Sequence, residues 1–352
     1  MPPLLPARRL PVLDAGRGIA ALLVMLFHIS DTAFQNMFGQ RPVGAAFAFG
    51  YAGLDFFFVL SGFIIMHGHA GDLGRPGRVL PYLRKRISRV YPAYWVVTLL
   101  YAGLAAAGPG LPPGQFAASL LLLPGQPLLL GVAWTLVHEM LFYLLFALAI
   151  LAPRAGLALG LAWVALSLLL PRGIGALADV LFELRHVEFL IGVLAAWAVR
   201  HAPPRRPLAL AAAGGGLFAL TAGLDVLQAA TGGSALPPQG FILAYGLASG
   251  ALIAGLAARE AAAPLRLPRP LLMLGEASYS LYLTHLLAYS LLARLALALH
   301  LPALLPGWAL LALLAAGITA AGLLFHRLVE RPLLRLARGT GPVIAPHPTA
   351  TA

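Results

Sequence analysis

LDAGRGIAALLVMLFHIS, residues 13–30, sets an arginine and a histidine into an otherwise almost wholly apolar stretch. A run of this length and character reads as a helix in a lipid bilayer. Arg17 and His28 stand eleven positions apart, and eleven steps of about 100° make roughly three turns, so both side chains share one helix face about 16 Å apart. A charged side chain deep in a bilayer costs on the order of 2.5–3.5 kcal/mol, so such residues usually line a protein interior or a watery cavity. The shared face is therefore a candidate functional surface. The plainer reading is that Arg17 snorkels to the headgroups and His28 is a satisfied polar residue between helices.

Composition extends that reading to the whole chain. Its 352 residues are 60% hydrophobic and only 10% charged, with mean hydropathy +0.87. Soluble domains carry about 25% charged residues, so an all-α polytopic membrane protein is expected. There is no cysteine, which excludes a disulfide framework, thiolate catalysis and cysteine-ligated metals, and no metal site is assigned. The stretch after Arg8 and Arg9 contains Asp14 and Arg17 and lacks a clear small-residue cleavage site. It reads as an uncleaved first helix rather than a signal peptide.

About ten transmembrane helices are expected, at 12–33, 45–67, 90–108, 134–152, 155–170, 186–200, 207–224, 239–257, 271–298 and 306–327. The apolar segment 115–131 is broken by Pro124, Gly125 and Pro127 and reads as interfacial or re-entrant. Starting the N-terminus in the cytoplasm and alternating puts 20 of the 24 Lys and Arg on the cytoplasmic side, leaving Arg41, Arg172, Arg185 and Arg294 opposite. Both termini are therefore expected in the cytoplasm. The net charge of +12 is then a topology signal, and no nucleic-acid partner is expected. One integral membrane domain, 1–338, is expected to be followed by a disordered tail, 339–352, rich in Pro, Thr and Ala.

Polar residues recur inside these apolar runs. GYAGLDFFFVLSGFII, 50–65, carries Asp55, whose partner is expected to be Arg17 or a cation of the third span. A buried ion pair that fixes helix packing is as good a reading of Asp55 as catalysis. Ser61 and Gly62 allow close helix approach. LRKRISRVYPAYW, 83–95, puts Arg86 and Arg89 on one face, with Tyr91, Tyr94 and Trp95 suited to the interfacial belt. Paired guanidinium groups suit a phosphate-bearing cofactor such as coenzyme A; a headgroup anchor is the bland alternative. In WTLVHEMLFYLLF, 134–146, His138 and Glu139 point about 100° apart, so Glu139 with Tyr143 one turn on is the better candidate for a cavity face. LGEASYSLYLTHLL, 274–287, aligns Ser278, Tyr282 and His285 on one stripe.

These segments, together with the closing LVERP at 328–332, resemble in that order the signature segments of the membrane-bound acyltransferase type 3 family. The similarity covers roughly residues 12–332. The first, fourth and ninth spans look most like the exopolysaccharide O-acyltransferase branch. The resemblance implies an integral enzyme of the cytoplasmic (inner) membrane that moves an acyl group, usually acetyl, from cytoplasmic acyl-CoA to a carbohydrate. The acceptor is a hydroxyl of an exopolysaccharide, lipopolysaccharide or similar glycan, lipid-linked or exported. Acetyl-CoA is then a donor substrate, with no permanently bound cofactor.

The family's Arg and His of the first span match Arg17 and His28, its paired third-span arginines match Arg86 and Arg89, and its fourth-span Glu matches Glu139. The commoner fourth-span motif has Ser before that Glu and a second Glu after it; Val137 and Met140 stand there in this chain. On this basis His28 and Glu139 are the expected catalytic residues, and Arg17, Arg86 and Arg89 the expected donor grip. Asp55, Tyr143, Tyr282 and His285 are the expected substrate-binding residues. His28, with an ordinary imidazole pKa near 6.5, suits a general base or a transient acyl carrier. The competing class is a transporter or flippase for a glycolipid or anionic solute, whose path the same intramembrane charges would line. It does not account for a basic, aromatic-backed grip at one face.

Overall fold

The computed structural model describes residues 10–107 and 110–338. Arg8, Arg9 and the expected tail 339–352 lie outside the described residues. The described residues form helices and connecting turns without a strand. Ten principal helices follow one another: α1 (Pro11–Ser30), α2 (Ala52–His69), α3 (Val79–Ala106), α4 (Trp134–Leu151), α5 (Pro153–Leu169), α6 (His186–His201), α7 (Pro207–Thr231), α8 (Pro238–Ala262), α9 (Arg269–Ala298) and α10 (Gly307–Phe325).

Each expected span falls on one of these helices, but length and composition separate them. Seven among the described residues are long and apolar enough to cross a membrane: α1, α2, α4, α7, α8, α9 and α10. The other three differ for local reasons. The basic run 84–89 occupies the early turns of α3, while α5 has 17 residues and α6 only 16. Outward-facing leucines such as Leu99 and Leu104 on α3, Leu157 and Leu161 on α5, and Leu291 and Leu295 on α9 suit a lipid surround.

Helix α1 packs against α9 and α2, α2 against α6 and α8, α9 against α10, and α4 against α3 and α5. Small residues set the close crossings. A Cβ on Gly18 would stand 2.7 Å from the Gly275 nitrogen, and one on Gly275 would run into the Asp14 carbonyl oxygen. This contact draws the Arg17 face of α1 toward the Ser278–Tyr282 stripe of α9. Likewise Gly62 of α2 abuts Phe189 and Gly192 of α6 abuts Val59, as the Ser61-Gly62 pair suggested. At the start of α1, Glu260 Oε2 accepts the Val12 backbone N–H at 3.0 Å, serving an otherwise orphaned first-turn donor from the end of α8.

The broken segment between α3 and α4 folds back along α3. A short helix, Pro113–Leu121, offers its last carbonyls to α3: Tyr94 donates to Ser119 O, Trp95 Nε1 to Leu120 O at 2.9 Å and Tyr91 to Leu121 O at 3.2 Å. Tyr94 lies twelve residues before the end of α3, so the segment returns by about 18 Å. These aromatic residues tether the returning segment because its helix end supplies unsatisfied carbonyls.

Candidate active site

Helices α1, α2, α3, α4 and α9 enclose a cavity of about 150 Å³. Its charged lining is Arg17, Arg86, Arg89 and Glu139, with Ser61, Thr135, Tyr143, Ser278, Tyr279 and Tyr282 among the polar and aromatic remainder. Three guanidinium groups from two helices thus face a single carboxylate. The helical spacing read from the sequence is what aligns Arg86 with Arg89 and Ser278 with Tyr282.

Each arginine is held differently. Arg86 Nη2 donates to His69 Nε2 at 2.8 Å, and His69 Nδ1 donates to Asp72 Oδ2 at 2.8 Å. A nitrogen that accepts from a guanidinium is unprotonated, so this chain assigns His69 as neutral with its proton on Nδ1. The Arg86 guanidinium also lies over the Tyr82 and Tyr143 rings, at 5.6 and 5.7 Å. Arg89 donates to Glu330 and lies 5.3 Å above the Tyr279 ring. Glu330, fully buried, also accepts from Ser280 at 2.6 Å and from His326 at 2.8 Å. A single π-helical turn, His326–Glu330, ends α10 and places both residues on this cluster. Arg17 is within 3.8 Å of Asp14, one turn before it.

Glu139 accepts from Tyr143 and, at 3.4 Å, from Ser61. The expected divergence of neighbours is present: His138 turns away and pairs with His186, Nδ1 to Nε2 at 2.8 Å. Tyr282 lines the cavity from α9. Its hydroxyl meets Val132 O at 2.7 Å and Thr135 Oγ1 at 2.8 Å, joining α9 to the start of α4.

His28 and His285 do not line this cavity. They meet one turn beyond Tyr282, whose ring centre is 6.0 Å from that of His285, and their own ring centres are 5.0 Å apart. Glu139 therefore has hydroxyl partners here rather than His28. Asp55 also stands outside the cavity lining, and Arg17 is not its partner. Arg185, immediately before α6, donates to Asp55 Oδ1 at 3.1 Å and lies over the Trp134 ring. The reason is position along the helices. Asp55 sits in the first turn of α2 beside the start of α6, whereas Arg17 shares its end of the bundle with Arg86 and Arg89.

Sequence reasoning gave no role to Glu330, His69 or Arg185. Glu330 was visible in the closing LVERP, and His69 ends the second apolar run. Nothing local to Arg185 marks it as a partner of Asp55.

The chain belongs to the acyltransferase type 3 family and is a membrane acyltransferase, and its cavity gathers cationic side chains beside a carboxylate–tyrosine pair. The family's acyltransferase domain matches residues 10–327. The chain is 32% identical over 342 residues to the exopolysaccharide production protein ExoZ of Rhizobium meliloti (strain 1021), covering 89% of this chain and 96% of that protein. It is 30% identical to acyltransferase MdmB of Streptomyces mycarofaciens, over 97% of this chain and 96% of that one. Protein 2 in the picA locus of Rhizobium radiobacter is 30% identical over 169 residues, 40% of this chain and 83% of its own. No solved structure matches the chain.

Proposed function

We propose that this membrane acyltransferase moves an acetyl group from acetyl-CoA to a carbohydrate hydroxyl of an exopolysaccharide, lipopolysaccharide or similar glycan. The observation that carries this reading is the convergence of Arg17, Arg86 and Arg89 on one cavity. Guanidinium groups bind phosphate oxygens through fixed, forked N–H donors, and three of them suit a nucleotide-linked thioester. The name of the R. meliloti relative supports an exported polysaccharide as acceptor.

In this reading the nucleotide end of the donor rests against the arginines, which open to the cytoplasm. The charge asymmetry of the loops supports that orientation, with both termini cytoplasmic and the protein in the inner membrane. The pantetheine arm runs along the shared face of α1 toward His28, past Tyr282. His28 Nε2 takes the proton of the acceptor hydroxyl as its oxygen attacks the thioester carbonyl. The C–S bond breaks, and the departing thiolate takes that proton from His28. Glu139, with Tyr143, orients groups within the cavity. Asp55 and Arg185 hold α2 against α6 and support the site from outside it.

The test is release of free CoA from labelled acetyl-CoA by the purified protein in nanodiscs, with candidate glycans supplied. Wild type, His28→Ala and Arg86→Ala are compared. Turnover that needs His28, with a raised KM for acetyl-CoA in Arg86→Ala, is expected. Full turnover by His28→Ala would overturn the assignment of the base.

A further inference from the structure

The contact between His28 and His285 carries more than proximity, because the backbone around it fixes where the protons are. His28 Nδ1 lies 2.9 Å from Val24 O, and His285 Nδ1 lies 2.7 Å from Tyr282 O. A carbonyl oxygen only accepts, so both Nδ1 atoms must carry hydrogen. In the neutral rings both Nε2 atoms are then lone-pair acceptors. His285 Nε2 lies 3.2 Å from His28 Nδ1, so the His28 N–H is shared between Val24 O and His285 Nε2. His28 Nε2 has no hydrogen-bond partner among the described residues, and the ring is partly exposed, whereas His285 is sealed at 1% exposure.

From this geometry, and resting on the proposed role of His28, we infer that His285 is a positioning residue for acyl transfer. It holds His28 in the Nδ1–H tautomer with Nε2 free for the acceptor hydroxyl. The expected substrate-binding role of His285 gives way to this one because its two ring nitrogens are already occupied, one by Tyr282 O and one by His28. When His28 Nε2 takes up the hydroxyl proton, its Nδ1–H becomes the N–H of an imidazolium. A charged donor strengthens the bond to the His285 lone pair. The proton returns from His28 Nε2 to the thiolate, and His285 begins and ends neutral. The partner is an imidazole rather than a carboxylate, so the pair develops charge only during the reaction. A fixed carboxylate would instead leave a charge in the apolar interior at rest. Van der Waals order supports the same geometry: Phe27 packs edge-on to His28, ring centres 5.2 Å apart, and limits its rotation.

Two measurements test the inference independently. The first is ¹⁵N NMR of the histidine-labelled wild type in nanodiscs at neutral pH, with the His28 signals assigned by their loss in His28→Gln. A proton on His28 Nδ1 is expected. A proton on Nε2 would overturn the inference, and this reading does not depend on any acyl transfer being seen. The second compares His285→Ala with His285→Gln, whose side-chain oxygen can accept the His28 N–H. The alanine variant is expected to lose on the order of 10²-fold in kcat with an unchanged KM for acetyl-CoA. The glutamine variant is expected to recover most of that loss. Wild-type kcat in His285→Ala, or no recovery in His285→Gln, would overturn it. If wild type itself transfers no acyl group, the proposed function fails and the NMR result alone decides the tautomer.

Discussion

Arg89 and Glu330 form one ion pair across 241 positions of the chain, so the end of the fold fixes a side chain of the cavity. Glu330 is fully buried and serves Ser280 and His326 as well, which leaves Arg89 little freedom to leave it. Removing one partner of a buried pair costs about 3–5 kcal/mol, because the other charge remains without compensation. Glu330→Gln is expected to lower the thermal midpoint in detergent and to raise the KM for acetyl-CoA more than it lowers kcat. An unchanged KM would show that Arg89 does not hold the donor.

The α1–α9 crossing makes a prediction of a different kind. Gly275→Val is expected to abolish folded protein, because a side chain there meets the backbone of Asp14 rather than a movable group. Gly216→Ala is the control: nothing lies within 4 Å of where its Cβ would stand, so normal membrane yield is expected. Size-exclusion profiles of the two purified variants decide the matter.

Asp55 and Arg185 should behave as a pair. Asp55 is fully buried, so Arg185→Leu alone is expected to cost roughly 3 kcal/mol or more. Adding Asp55→Asn to it is expected to restore part of the loss. Additive effects in this double-mutant cycle, read from unfolding midpoints, would show that the contact is not a coupled one.

Outside the spanning helices, Glu183 gives a pH signature. Burial pushes its carboxyl up, but the hydrogen-bonded Arg172 guanidinium and Arg185 outweigh that and hold it below its usual value of 4.5. A lowered folded pKa contributes stability that is present above the unfolded value and lost as pH falls through the folded one. Wild type is therefore expected to be more stable than Glu183→Gln near neutral pH, with the difference shrinking as pH falls through the lowered carboxyl pKa. Curves that stay parallel down to acid pH would contradict this.

The parts of the site legible in the sequence are those that one helix decides. Arg86 with Arg89, Ser278 with Tyr282, and the divergence of His138 from Glu139 all follow from the 100° step. The joint presence of Arg17 and Tyr282 at one cavity follows from two glycines that only the fold brings together. The parts that were not legible depend on neighbours: Arg185 reaches Asp55 because two helix starts lie side by side, and Tyr91, Tyr94 and Trp95 find the carbonyls of the returning segment.

The long-range pairing of Arg89 with Glu330 also bears on biosynthesis. A ribosome delivers Arg17, Arg86 and Arg89 to the bilayer long before α9 supplies Ser278 and Tyr282, and Glu330 follows later still. A nascent chain that stops short of Glu330 therefore carries the cationic residues without the walls that organise them, and activity can arise only once the chain has been made through that residue.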